Sequence, residues 1–427
     1  MDSRFLPMLL PQKRDSYLTS ELTDYYMYGS EWSIFTVLRS GGELKQTDLN
    51  AFYNSVSKKL ESGDRLLPTD YFRIVVALQV MGKDPTNVDG INIIDLLCNY
   101  NNLDRLSSNM MNYTLMALDT KDYEVPEGAK WTRDVLIEKI LAFQNPENGG
   151  FGLSDNKTVG IDITAMTLQG LAPYNNADHP EVQAAIQKGL DYLRNEMTTD
   201  CGYFVEGDDN SCSAAQVLTA LCTLGIDPLD PDNGFTKGSN NLVVKLDEFR
   251  LHDGFTTFMS RREPDGMAAS QIGYALESYR RFVEGENSIF DLTDVGQLSQ
   301  EEIDQLAAQE VMDLIDQIGT VTKDSKDKIC AARNAYDLLT ENQKKLVTNY
   351  SVLLKAEELY AQLTQEDGNG SGNDNDSNNT QPTDPQNPET GDVSSYGFEW
   401  LSLTLSGFIL AVLAKKVFLK NKTNCTR

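Results

Sequence analysis

Few residues in this chain have the type and spacing that chemistry needs. Asp162 stands alone in Gly160-Ile161-Asp162-Ile163, at the start of an apolar run, and Asp208-Asp209 is a pair in a polar loop. Neighbouring carboxyl groups can tune one of their number as a proton donor. A lone aspartate before a helix is instead expected to be its N-cap, accepting backbone N–H groups. There are 2 histidines, His179 and His252, and 6 cysteines, Cys98, Cys201, Cys212, Cys222, Cys330 and Cys425, scattered without paired spacing. So few histidines leave metal and triad chemistry little to draw on. The cysteines read as free thiols rather than a disulfide framework, although Cys201 and Cys212 could meet in one loop. No nucleotide-binding loop, Ser/His/Asp set or glycosidase-type carboxylate pair is recognisable. What remains are polar and aromatic residues on apolar helices. Gln216 and Gln271 hold equivalent places in a repeat, and a buried amide must be bonded, so each either reaches a neighbouring helix end or lines a central cavity. Trp32, Tyr113, Met166 and Tyr274 are candidates for the same cavity wall; the other reading is plain core.

The elements that must position these residues recur. A glycine-aromatic turn, a polar loop and a small-residue apolar helix occur at Gly149-Gly150-Phe151 with Thr164–Ala172, at Gly202-Tyr203-Phe204 with Asn210–Leu221, and at Gly254-Phe255 with Gly266–Leu276. Leu171, Leu221 and Leu276 are equivalent, a period of about fifty residues, and a two-helix unit of this length buries its apolar face only against its neighbours. Helices of two kinds alternate. One kind has a single apolar stripe, as in Val182, Ile186, Leu190 and Leu193, and recurs near 47–60, 132–143 and 241–249. The other is apolar nearly all round, hence buried all round, and is expected near 31–39, 70–81, 109–118, 162–172, 211–224 and 266–280. Gly82-Lys83-Asp84-Pro85 and Gly225-Ile226-Asp227-Pro228 end two of these alike, a left-handed glycine closing the helix and proline preventing its restart.

Charge and composition exclude some partners. Lys+Arg 37 against Asp+Glu 64 gives a net charge of −27, which argues against nucleic acid, for which a basic footprint is needed. Residues 298–364 read as a helical spacer bundle of three or four helices, with capping boxes at Ser299–Glu302 and Thr340–Gln343. Residues 365–392 are rich in Asn, Asp, Gly, Ser and Pro and read as a disordered linker. A hydrophobic segment follows at 396–418, then a basic tail at 419–427. Its apolar run is short of the ~20 residues of an ordinary membrane span. Residues 1–14 show no clear signal peptide.

Gln144, Gly149, Gly150 and Phe151, with their later counterparts, resemble the QW-type turn of the terpenoid cyclase and protein prenyltransferase superfamily. Glu31-Trp32, the Gly-x-Asp-Pro endings and Asp162–Pro173 resemble bacterial surface proteins that carry this domain. The resemblance covers roughly 15–295 and implies an all-α chain: an α/α toroid of about six helical hairpins, with the domain taken as 15–297. That superfamily spans cyclases, prenyltransferases and cobalamin carriers, so the resemblance alone fixes no activity. Its prenyltransferases hold zinc with Asp, Cys and His, and no histidine here accompanies a repeat-matched Asp and Cys, so no metal or cofactor is expected. Its class II cyclases use the middle Asp of Asp-x-Asp-Asp as acid, for which Asp162 is the candidate here. Asn387, Pro388, Glu389, Thr390 and Gly391, then the apolar run, then lysines, are similar to a sortase sorting signal beginning with Asn instead of Leu. The other reading of this end is a permanent tail anchor. The expected protein is therefore extracellular, on the cell wall or membrane of a Gram-positive bacterium, with sortase, peptidoglycan and the membrane as partners. Its export signal is expected upstream of residue 1. Its toroid is expected to bind an unidentified small molecule or partner chain rather than to catalyse; the alternatives are a cyclase-like enzyme using Asp162 and a structural or adhesive module.

Overall fold

The computed structural model describes residues 31–251, apart from Asp64 and Glu206, and residues 265–365. They fall into two compact units, the first ending at Ser299 and the second beginning at Gln300. The described residues are all-α apart from a short hairpin and isolated bridges.

The first unit holds α1 (Glu31–Arg39), α2 (Gln46–Glu61), α3 (Pro68–Val80), α4 (Ile93–Cys98), α5 (Ser108–Asp119), α6 (Arg133–Leu141), α7 (Ile161–Leu171), α8 (Pro180–Glu196), α9 (Ser211–Thr223), α10 (Leu242–Asp247) and α11 (Gly266–Glu284). The odd-numbered helices are those expected to be apolar all round. In α3, Phe72, Val75, Val76, Ala77 and Leu78 are fully buried, and in α9 almost every residue is buried. They contact one another in order: α1 packs on α3, α3 on α5, α5 on α7, α7 on α9, α9 on α11, and α11 against α1 again. The one-sided helices α6, α8 and α10 pack on α5, α7 and α9, and α4 on both α3 and α5.

The shared endings have the geometry their sequence implies. Gly82 and Gly225 both have φ of 72°. The N–H after each reaches back to the sixth residue of a Schellman motif, Lys83 N to Leu78 O at 2.8 Å and Ile226 N to Leu221 O at 2.9 Å. The same pair of bonds closes α1, α5 and α11, and in α5 the left-handed place is held by Asp122. The glycine-aromatic turn is tied to two helices. Gln144 Nε2 donates to Gly149 O at 2.9 Å and to Ala185 O of α8 at 2.8 Å. Phe151 N donates to Thr164 Oγ1 of α7 at 2.8 Å. In the second copy Asp208-Asp209 is not loop but the strand β2, paired antiparallel with β1 (Phe204–Val205). The third turn lies outside the described residues.

After α11 the chain turns across the ends of the odd-numbered helices. Leu292 N donates to Thr120 O at 2.8 Å and Leu298 N to Gly82 O at 3.1 Å. Arg39 Nε donates to Ile289 O at 3.1 Å and its Nη2 to Asp291 O at 2.6 Å. Asp294 accepts from both Arg39 and Arg281. This strap carries Phe290 into the middle of the unit, where its ring meets Trp32, Phe35, Phe72 and Tyr274.

The second unit comprises α12 (Gln300–Asp316), α13 (Lys326–Asp337), α14 (Glu341–Leu346) and α15 (Tyr350–Gln365) around Val311, Ile315, Ala332 and Leu353. Thr340 and Gln343 form the expected capping box, Gln343 N to Thr340 Oγ1 at 3.3 Å and Thr340 N to Gln343 Oε1 at 2.9 Å. Arg333 crosses from α13 to α15, donating to both oxygens of Glu357. No helix among the described residues is long and apolar enough to cross a membrane. The hydrophobic segment 396–418, the motif Asn387–Gly391 and residues 1–14 lie outside the described residues.

Candidate binding site

Side chains from all the odd-numbered helices take part in a run of contacts that steps along α7 from Met166 to Gln169. Trp32 of α1 lies edge-on to Phe72 of α3 at 6.0 Å between centroids. Phe72 stacks on Tyr113 of α5 at 4.7 Å and 8°. The Tyr113 hydroxyl reaches Met166 Sδ of α7 at 3.1 Å. One turn further along α7, Gln169 Nε2 donates to Gln216 Oε1 of α9 at 2.9 Å. Gln216 Nε2 in turn donates to Gln271 Oε1 at 3.1 Å and to the Tyr274 hydroxyl at 2.5 Å, both on α11. Tyr274 returns to Trp32 at 5.5 Å. The six candidates chosen from sequence are thus all brought together. Tyr274 and Gln216 are buried, whereas Trp32, Tyr113, Met166 and Gln271 keep some exposed surface.

The amides take neither of the expected roles alone. Equivalent positions on neighbouring helices face each other, so Gln216 and Gln271 bond side chain to side chain rather than to a helix end, and Gln169 joins them. Gln169 sits two residues before Leu171 as Tyr274 sits two before Leu276; that equivalence was available in the repeat and would have found it. Phe72 was hidden in a run of apolar residues, and Phe290 lies beyond the last repeat helix, where no periodicity marks it.

Asp162 is not the N-cap of α7. Gly160, in extended conformation, holds that place, and the helix begins at Ile161. The hydroxyl of Thr164 donates to Gly160 O at 2.7 Å. Asp162 is left in the first turn, with Oδ1 buried and without a hydrogen-bond partner. Burial pushes its carboxyl up from the ordinary value of 3.8, opposed by the nearby Ser213 hydroxyl, and no positive group among the described residues acts on it. Ser213 Oγ, on a residue with 0% exposure, also lacks a partner. Burial, with Asp162 adding to it, raises Cys212 well above the usual thiol range. Tyr113 is pushed to about 12 by burial, with Arg73 opposing and Asp162 adding. Asp162 therefore acts on Tyr113, Cys212 and Tyr274 and belongs to the same neighbourhood as the contact run. On α3, Arg73 is held at 2.5 Å by Asp70 and at 3.6 Å by Glu31. Burial raises the Glu31 carboxyl, with Arg73 opposing.

The other sequence candidates lie elsewhere. Asp209, Asp200 and Glu248 are close enough together to hold a metal ion. They converge instead on the buried Lys245 ammonium, 2.7 Å from Asp200, 2.9 Å from Glu248 and in contact with Asp209. A cation already occupies the position these carboxylates define. His179 lies edge-on to Tyr174 at 5.4 Å, with Nδ1 3.6 Å from Glu181, and His252 is outside the described residues. Cys98, Cys201, Cys212, Cys222 and Cys330 are not joined in disulfides. The sequence matches no protein-family model and no curated protein.

Proposed function

We propose that residues 15–297 form an α/α toroid displayed at a Gram-positive cell surface by sortase, and that its interior binds a small molecule or partner chain without transforming it. The observation that carries this reading is the contact run of Trp32, Phe72, Tyr113, Met166, Gln216 and Tyr274. It presents partly exposed aromatic and sulfur surface next to a few polar groups, the usual make-up of a small-molecule site. Phe290 and the strap cover one side of the aromatic group. The second unit and residues 365–392 would then serve as spacer and stalk, and Asn387–Gly391 as the sortase motif.

One observation favours the cyclase reading instead: a carboxyl raised by burial in the neighbourhood of aromatic rings could serve as a proton donor. Against it, Asp162 lacks the neighbouring aspartates that sharpen such an acid in the cyclases it resembles. One experiment separates the readings. The full chain is titrated with the neutral fluorophore N-phenyl-1-naphthylamine and incubated separately with polyprenyl substrates. Saturable binding at one site, weakened by Gln271→Trp, with no conversion of polyprenyl substrate, is expected. Conversion that disappears in Asp162→Asn would replace the binding reading with the enzymatic one.

A further inference from the structure

The three amides of the site form a chain whose direction is fixed. Gln169 Nε2 lies 3.0 Å from the backbone oxygen of Gln216 and 2.9 Å from its Oε1. A backbone carbonyl only accepts, so Gln169 must present its nitrogen there, and Gln216 must meet that nitrogen with oxygen. The nitrogen of Gln216 therefore faces α11, where its two N–H groups are spent on Gln271 Oε1 and on the Tyr274 hydroxyl oxygen. The N–H groups of Gln271 and the hydroxyl hydrogen of Tyr274 are left over, with no acceptor among the described residues. Polarisation along such a chain strengthens the donors at its end. The acceptor end, Gln169, is 4% exposed, whereas Gln271 keeps exposed surface. Met267, Gln271 and Tyr274 follow one another at helical spacing on one face of α11, and exposure falls along that face from 46% at Met267 to 2% at Tyr274. This stripe leads from solvent to the unspent donors. Trp32, itself partly exposed, lies 5.5 Å from the Tyr274 ring.

Resting on the binding reading, we infer that the site takes an uncharged apolar molecule that carries a carbonyl oxygen: the oxygen accepts from Gln271 Nε2 and the Tyr274 hydroxyl, and the apolar body lies against Trp32. A purely apolar molecule would close the site over unpaired N–H and O–H groups, which is costly. A carboxylate also accepts, but it gains less from neutral donors than it loses in leaving water. The amide chain is thus the specificity element of the site, with Gln271 as its recognising end.

The test uses the full chain with N-phenyl-1-naphthylamine bound, displaced by two probes of one shape: acetophenone and its carbon isostere, α-methylstyrene, in which C=CH2 replaces C=O. The quantity read is the ratio of ketone to alkene affinity, which removes what the shared body contributes. Gln271→Met, close in volume and without the donors, is expected to lower that ratio about tenfold. Tyr274→Phe should lower it several-fold, and decides the question if the methionine variant does not fold. A ratio unchanged in the folded variants overturns the proposal while the binding reading stands. Benzoate displacing the fluorophore more tightly than acetophenone also overturns it, because the preferred acceptor would then be charged. Displacement by none of the probes does the same. If the fluorophore itself does not bind, both readings fall together.

Discussion

Phe290 lies flat against Phe35, with ring centroids 5.4 Å apart and planes 10° from parallel. Phe35 belongs to the first helix described, whereas Phe290 belongs to no helix and arrives more than two hundred residues later on the strap. The same ring touches Trp32, Phe72 and Tyr274, so one residue outside the repeats holds α1, α3 and α11 together. Phe290→Ala removes this plug and leaves a cavity the strap cannot close, because its backbone is bonded to Thr120 and Gly82. The expected loss is about 3–5 kcal/mol in urea unfolding, with the second unit's transition unchanged.

Asp294 predicts a second weakness in the same strap. Its carboxylate accepts from Arg39 and Arg281, whose side chains are 3% and 6% exposed. Asp294→Ala leaves both guanidiniums buried with one acceptor fewer, although Arg39 keeps the carbonyls of Ser288, Ile289 and Asp291. A loss of about 1.5–3 kcal/mol is expected, and Asp294→Asn should recover part of it. Calorimetry of the three chains side by side checks the order.

Acid should weaken the first unit through Glu286. Hydrogen bonding to Arg280 draws its pKa down from 4.5 to about 2. A carboxylate depressed on folding adds stability above its unfolded value, and that stability is lost as pH falls through the folded value. The thermal midpoint should therefore fall between pH 4.5 and about 2. Glu286→Gln should flatten that fall, an effect kept modest by the side chain's exposure. A midpoint curve for the variant parallel to that of the wild type would show that Glu286 has no part in it.

The helices legible in the sequence were those whose composition leaves one choice. Runs such as Tyr71–Met81 and Ala214–Leu224 are apolar on every side, so burial fixed them, and Gly82 and Gly225 marked their ends. The candidate cavity residues followed from the repeat: Gln216 and Gln271 are equivalent, and equivalent positions on adjacent helices meet. What escaped was decided by single backbone or tertiary choices. Asp162 reads as a cap from its position, but the extended backbone at Gly160 starts the helix two residues earlier. The pair Asp208-Asp209 is explained only when Lys245, from a helix three dozen residues on, comes into place. Phe290 has no pattern around it, and its importance comes wholly from the rings it meets.

Asp162 gives the sharpest prediction, because its two possible duties have opposite signs. An N-cap carboxylate is stabilised by backbone donors, so its pKa would be lowered, and its loss to alanine would cost about 0.5–2 kcal/mol at neutral pH. In the structure no such donor reaches it, and burial raises its pKa above 3.8. A carboxyl group raised on folding contributes stability that is fully present below the unfolded value and is lost as pH rises through the folded value. Asparagine does not titrate. The difference in thermal midpoint, Asp162→Asn minus wild type, should therefore become more positive as pH rises from 3.8 toward neutrality. The groups that share its surroundings, Tyr113, Cys212, Tyr274 and Tyr192, are all raised themselves and stay neutral across that range, so they add no competing slope. At neutral pH the asparagine variant should be at least as stable as the wild type. A variant that is less stable at every pH, with a gap that narrows in acid, would restore the capping role.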